Sequence, residues 1–152
     1  MKLMPSILIQ QLAAVWLTLN WVIGYGVAPV LFSQLETQVA GAIMAVLLSA
    51  TYWVDSAILL MMLLMIRQSR NWTRREGWLL AALLLVVLNL AGVSPIMADL
   101  KQLPGEASIM QMGFAAWHGL SQLVFLGAWL SVVVWVVISL RNPSFTIHKK
   151  TL

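Results

Sequence analysis

Four long apolar runs, at 7–32, 39–66, 78–98 and 113–140, constrain this chain more than any other feature. Each reaches the roughly 20 residues that carry an α-helix across the ~30 Å hydrocarbon layer of a bilayer. A segment in lipid must satisfy its own backbone hydrogen bonds, and an α-helix does this without help from the rest of the chain. The expected fold is therefore all-α: a single domain over residues 1–152, built as an antiparallel bundle of four transmembrane helices. Composition agrees, with 61% hydrophobic and 9% charged residues, against about 25% charged in ordinary soluble domains.

The punctuation between the runs sets the topology. Lys2 precedes the first run, which is far longer than the about 7–15 residues of a signal-peptide core, and Pro29 follows the only small-residue site, Val27-Ala28. The run is expected to be retained as a helix. Ser33-Gln34-Leu35-Glu36-Thr37-Gln38 forms a short polar linker, residues 67–77 an aqueous loop, Pro104-Gly105 a turn between the third and fourth runs, and Arg141-Asn142-Pro143 the end of the last helix. Of the nine basic residues, Lys2, Arg67, Arg70, Arg74, Arg75, Arg141, Lys149 and Lys150 fall on one side of a four-span bundle and only Lys101 on the other. The positive-inside bias then puts both termini in the cytoplasm. Trp72 and Trp78 fit the same interface, and Arg67, Arg70, Arg74 and Arg75 are expected to set topology and meet anionic headgroups, at about 1 kcal/mol per basic residue.

The net charge of +4 does not point to nucleic acid, because no helix carries a basic stripe with interleaved aromatics. The chain has no cysteine, which removes disulfides and thiolate chemistry. No serine-nucleophile motif, phosphate loop or paired carboxylates occur, so no catalytic residue is assigned and an enzyme is not the expected reading. The nine methionines, Met61, Met62 and Met65 among them, lack copper-site spacing. Haem is disfavoured because His118 is the one histidine inside a span, with His148 in the tail on the opposite side. No cofactor and no metal are expected.

What remains is a sparse set of polar groups in apolar helices, where each needs a partner or a purpose. Asn20, Asp55, Asn89 and Gln122 lie near the middle of successive spans and are expected to turn inward as a polar layer. His118, Ser121 and Gln122 fall at i, i+3 and i+4, the spacing of a shared helix face. Asp55 is the one acidic residue deep in a span: either a proton or cation site, or a structural carboxyl sharing Tyr52, Asn20 or Asn89. Gly24, Gly26, Gly41, Ala42 and Ala45 are the small residues expected to let helices approach. Pro29 and Pro95 are expected to kink or break their helices, and with His118 they would either frame an outward cavity or simply taper the bundle.

Three stretches carry a family resemblance: Ala28-Pro29-Val30-Leu31-Phe32, Pro95 with Leu100-Lys101, and Phe114-Ala115-Ala116-Trp117-His118-Gly119-Leu120-Ser121-Gln122. In order and spacing they resemble the transmembrane protein 205-like family, a four-span domain of unknown function found widely in bacteria and also in eukaryotes. The resemblance implies a multi-pass protein of the bacterial inner membrane and supplies no activity. Three functional readings stand: an accessory or interaction subunit of a larger membrane assembly or homo-oligomer, a small-molecule or proton/ion pathway using Asp55 and His118, and a haem- or metal-binding redox protein.

Overall fold

A computed structural model describes residues 3–68, 72–103 and 108–141. The expectations about Lys2, Arg70, Pro104-Gly105 and the tail from residue 142, including His148, Lys149 and Lys150, lie outside them. Four helical spans run Ile7–Gln34, Thr37–Gln68, Glu76–Gln102 and Phe114–Arg141. The described part of the protein is an all-α bundle of transmembrane length. The second span, at about 1.5 Å per residue, is roughly 48 Å long, so it tilts or reaches into the headgroups.

The first span consists of α1 (Leu3–Trp21), a π-helical segment (Val22–Val27) and α2 (Ala28–Gln34). The second is α3 (Thr37–Gln68). The third consists of α4 (Glu76–Leu88), a π-helical segment (Asn89–Val93) and α5 (Ser94–Gln102), and the fourth is α6 (Phe114–Arg141). Each π segment ends two residues before a proline, in Val27-Ala28-Pro29 and Val93-Ser94-Pro95. Proline lacks an N–H and its ring collides with the carbonyl four residues back. The wider π turn relieves that collision: the N–H of Ala28 reaches back to the carbonyl of Ile23, and that of Ser94 to Asn89. The expected breaks at Pro29 and Pro95 therefore do not occur. Both helices continue through their prolines, and Ala28, at φ −57° and ψ −53°, is helical.

Spans three and four form the most extensive contact in the bundle, followed by two and three, while the first packs on the second and the fourth. The main core holds Ile9, Ala13, Trp16, Leu59, Met62, Leu79, Val86, Val132 and Trp135, all in the half of the bundle where α3 ends and α4 begins. A smaller cluster at the other end gathers Val93, Leu100 and Trp117 around Ile109 and Met112. On that side α2 buries no residue, and α3 buries only Ala40 and Met44 before Thr51.

The small residues at the contacts are not the expected ones. Ala13, Ala40, Ala82 and Ala128 are essentially fully buried, and a Cβ on Gly127 would lie 3.3 Å from Leu85 Cδ1. Gly41 has nothing near its missing Cβ, and Ala42 and Ala45 are exposed. Gly26 meets only its own helix, and Gly24 makes an ordinary contact with Phe125. Lipid and core are equally apolar, so small residues on the lipid face and on the packing face look alike in sequence.

Before α4, Thr73-Arg74-Arg75-Glu76 makes one half of a capping box, in which the Glu76 side chain reaches back to the Thr73 N–H. The Thr73 N–H and hydroxyl both donate to Glu76 Oε2, at 2.7 and 2.5 Å, and Arg75 Nε donates to Glu76 Oε1 at 2.7 Å. The Glu76 carboxylate is fully buried. It serves the orphan donors of the helix start and pairs with Arg75.

Candidate polar site

The interior polar groups come from all four spans. Counted from the helix midpoints at about 1.5 Å per residue, Asn20 and Asn89 stand at the centres of spans one and three, and Tyr52 and Asp55 within about 4 Å of the centre of span two. Asn20 and Asp55 are fully buried and Asn89 nearly so. Asn20 Nδ2 donates to Asp55 Oδ1 at 2.9 Å and to the carbonyl of Trp16, one turn back, at 2.8 Å. Asn89 Nδ2 donates to Tyr52 Oη at 3.2 Å and to the backbone carbonyl of Ser121 at 3.1 Å. Tyr52 and Asp55 lie three residues apart on α3, so the two halves of the layer join through one helical turn.

The other hydroxyls in the spans do not join this layer. Thr51, Ser56 and Ser131 each donate to the carbonyl four residues back in their own helix, at 2.8 Å, the usual way a helix absorbs a buried hydroxyl.

The fourth span divides its polar residues between two faces. Trp117 and Ser121, a full turn apart, are buried, whereas His118, Gly119, Leu120 and Gln122 are exposed. At about 100° per residue, Ser121 lies within about 40° of Trp117 on the helix wheel. The large indole docks inward and takes Ser121 with it. His118 and Gln122, also a full turn apart, are carried outside. The expected grouping of His118, Ser121 and Gln122 on one face is thus corrected: the structure brings together Asn20, Asp55, Asn89 and Ser121, with Tyr52, and leaves His118 and Gln122 outside that set. Tyr52 was legible only as a possible partner of Asp55, and the carbonyl of Ser121 carried no signal in the sequence.

The outer end of the bundle explains the other recognisable residues. Trp117 Nε1 donates to the carbonyl of Ile109 at 3.2 Å. This pins a tight turn in which Ile109 and Met112 exchange backbone hydrogen bonds of 3.1 Å, with Met110 and Gln111 both in the left-handed region at φ 54° and 63°. Leu100 packs on Trp117. Lys101 Nζ sits 5.2 Å above the Phe114 ring, which stacks on His118 with centroids 6.0 Å apart. Leu100-Lys101 and Phe114 to His118 are therefore one contact set between α5 and α6.

Pro29, Phe32 and Pro95 are exposed and Ala28 half-buried. An open apolar groove of about 510 Å³ lies between spans one and two, lined by Val27, Leu31, Ile43, Val46, Leu47 and Ala50. Arg67 and Arg74 are exposed near the ends of α3 and α4, and Arg75 is half-buried against Glu76. Among the described residues, no group of three His, Cys, Asp or Glu side chains gathers to hold a metal ion.

No curated protein and no solved structure matches the chain. One family profile does, over residues 11–105. That stretch takes in Asn20, Asp55, Asn89, both proline turns and the capping box, and stops before Trp117. It covers more than half of the chain, which therefore belongs to the family described as Domain of unknown function (DUF4149).

Proposed function

We propose that this protein is a non-enzymatic accessory subunit that docks a further transmembrane helix along the outward face of α6. The observation that carries the reading is the exposed strip of Ala115, His118, Gly119 and Gln122. Gln122 lies about 8 Å from the midpoint of α6 and His118 about 14 Å, at 1.5 Å per residue, so the amide is within the hydrocarbon layer and the imidazole at its edge. Neither makes a hydrogen bond to another described residue. Lipid tails offer none, and exposed polar groups at this depth favour a neighbouring helix that does. Ala115 and Gly119, one turn apart, leave room for close approach, since a Cβ on Gly119 would meet nothing within 4 Å. The occupant that fits is a membrane helix, of a partner or of a second copy, presenting hydroxyl, amide or carbonyl groups.

Within the same reading, residues 114–122 support kinship with the transmembrane protein 205-like family. The excess of basic residues at one end supports a bacterial inner-membrane location with cytoplasmic termini.

The test is photocrosslinking from Leu123, 69% exposed beside this strip, in native membranes. Wild-type protein is expected to give one discrete crosslinked species that survives purification in mild detergent, and Gly119→Leu or Gln122→Leu to lose it. Crosslinks to lipid alone, with the protein monodisperse as a monomer, overturn the reading.

A further inference from the structure

The buried layer has a donor deficit that its own residues do not relieve. Asn20 spends both amide hydrogens, on Asp55 Oδ1 and on the Trp16 carbonyl. Asn89 spends both, on Tyr52 Oη and on the Ser121 carbonyl. Neither amide can be turned over: a flipped Asn20 would aim its oxygen at a carbonyl and a carboxylate, and a flipped Asn89 would aim it at a carbonyl. Asn20 Oδ1, Asn89 Oδ1 and Asp55 Oδ2 are left as buried acceptors with no partner, and the neighbouring indole N–H of Trp16, itself buried without a partner, bonds none of them. Three oxygens of one layer thus lack the same thing, and one belongs to a carboxyl that is fully buried.

The surroundings of Asp55 supply no positive charge. Facing it are Tyr52 on its own helix and Asn20 with Trp16 from the first span, with Asn89 and Ser121 of the other two spans one turn away. Tyr52 is the only other titratable group among them. The described basic residues Arg67, Arg74, Arg75, Lys101 and Arg141 all sit at helix ends. An uncompensated charge at this depth is costly, and hydrogen bonding from Asn20 to one oxygen does not neutralise it.

We propose that Asp55, with Asn20 and Asn89, forms a buried binding site for one monovalent cation, a proton or Na⁺. A proton on Asp55 Oδ2 removes the charge and converts an orphan acceptor into a donor for an amide oxygen. Na⁺ does the equivalent work by accepting lone pairs from hard oxygen ligands, the donor class that such cations take. A divalent ion fits less well, because one carboxylate leaves half its charge unbalanced. The backbone fits the role. Asn89 opens one π segment and Asn20 lies two residues before the other, and π turns inside helices recur at functional sites. Binding here does not depend on the docking face of α6, so either proposal can fail alone.

The chain has only two aspartates, Asp55 and Asp99, and Asp99 is exposed. Infrared difference spectroscopy on full-length protein labelled with ¹³C-aspartate in lipid nanodiscs therefore reads Asp55 directly. The expected result is a buried carboxyl band that appears and disappears reversibly with pH, apart from the Asp99 signal. If Na⁺ is the ligand, the titration also moves when Na⁺ replaces choline at constant ionic strength. A midpoint indifferent to Na⁺ identifies the proton as the ligand, and a Na⁺-dependent midpoint identifies Na⁺. The band should vanish in Asp55→Asn. Asn20→Leu, which keeps the branched shape and removes the amide oxygen and both N–H donors, should move the midpoint or the half-saturating Na⁺ concentration by about tenfold. An Asp55 signal in wild-type protein that is invariant with pH and with Na⁺ overturns the proposal, and needs no variant to fold.

Discussion

Asn89 is the residue on which the interior depends most widely, because its one amide ties span three to the side chain of Tyr52 and to the backbone of Ser121. Asn89→Leu removes both bonds while filling the space. Membrane hydrogen bonds average about 0.6 kcal/mol and reach about 1.7, so the expected loss is about 1–2 kcal/mol, measured by reversible unfolding in mixed micelles. A variant as stable as wild type would show that Tyr52 and Ser121 repair the gap between themselves. At this scale the sequence was readable in part. Asn20, Asp55 and Asn89 were legible as inward-facing, since a polar side chain at the centre of an apolar run has nowhere else to go. His118 and Gln122 were not legible as outward-facing. They lie farther from the midplane than Asn20, Asp55 and Asn89, and the burial of neighbouring Trp117 decides their direction.

Among the helices, the two proline turns and the start of α4 show how local chemistry keeps the spans whole. Proline in Val-Ala-Pro and Val-Ser-Pro reads as a kink or break, yet in each case a π turn precedes the proline and the helix runs on. In lipid the alternative is an exposed carbonyl with no water to meet it, so continuity wins. The capping box at Thr73 and Glu76 is a sequence-level signal, Thr-x-x-Glu ahead of an apolar run. It passes easily for part of a basic loop because Arg74 and Arg75 lie inside it. Thr73→Ala and Glu76→Ala are each expected to lower stability by about 0.5–2 kcal/mol. A double-mutant cycle should give less than the sum, since the two side chains serve one cap. Strict additivity would mean that Thr73 and Glu76 act independently.

At the scale of the whole molecule, orientation is the property most directly open to test. The chain has no cysteine, so single cysteines report their side without background. Ser108→Cys in intact cells is expected to react with a membrane-impermeant maleimide, and Trp72→Cys only after permeabilisation. The reverse pattern would invert the bundle and set aside the charge bias as its guide. The sequence by itself determined the four spans and their approximate ends. Each of these is a property of about 20 consecutive residues and the solvent they sit in, so it needs no knowledge of the neighbours. Only the tertiary structure decided how the fourth helix is rotated. In water, a helix announces its buried face by an apolar stripe. In lipid both faces are apolar and the stripe is absent. The choice of Trp117 and Ser121 inside and His118 and Gln122 outside therefore rests on how large side chains fit between helices, a property of all four spans together.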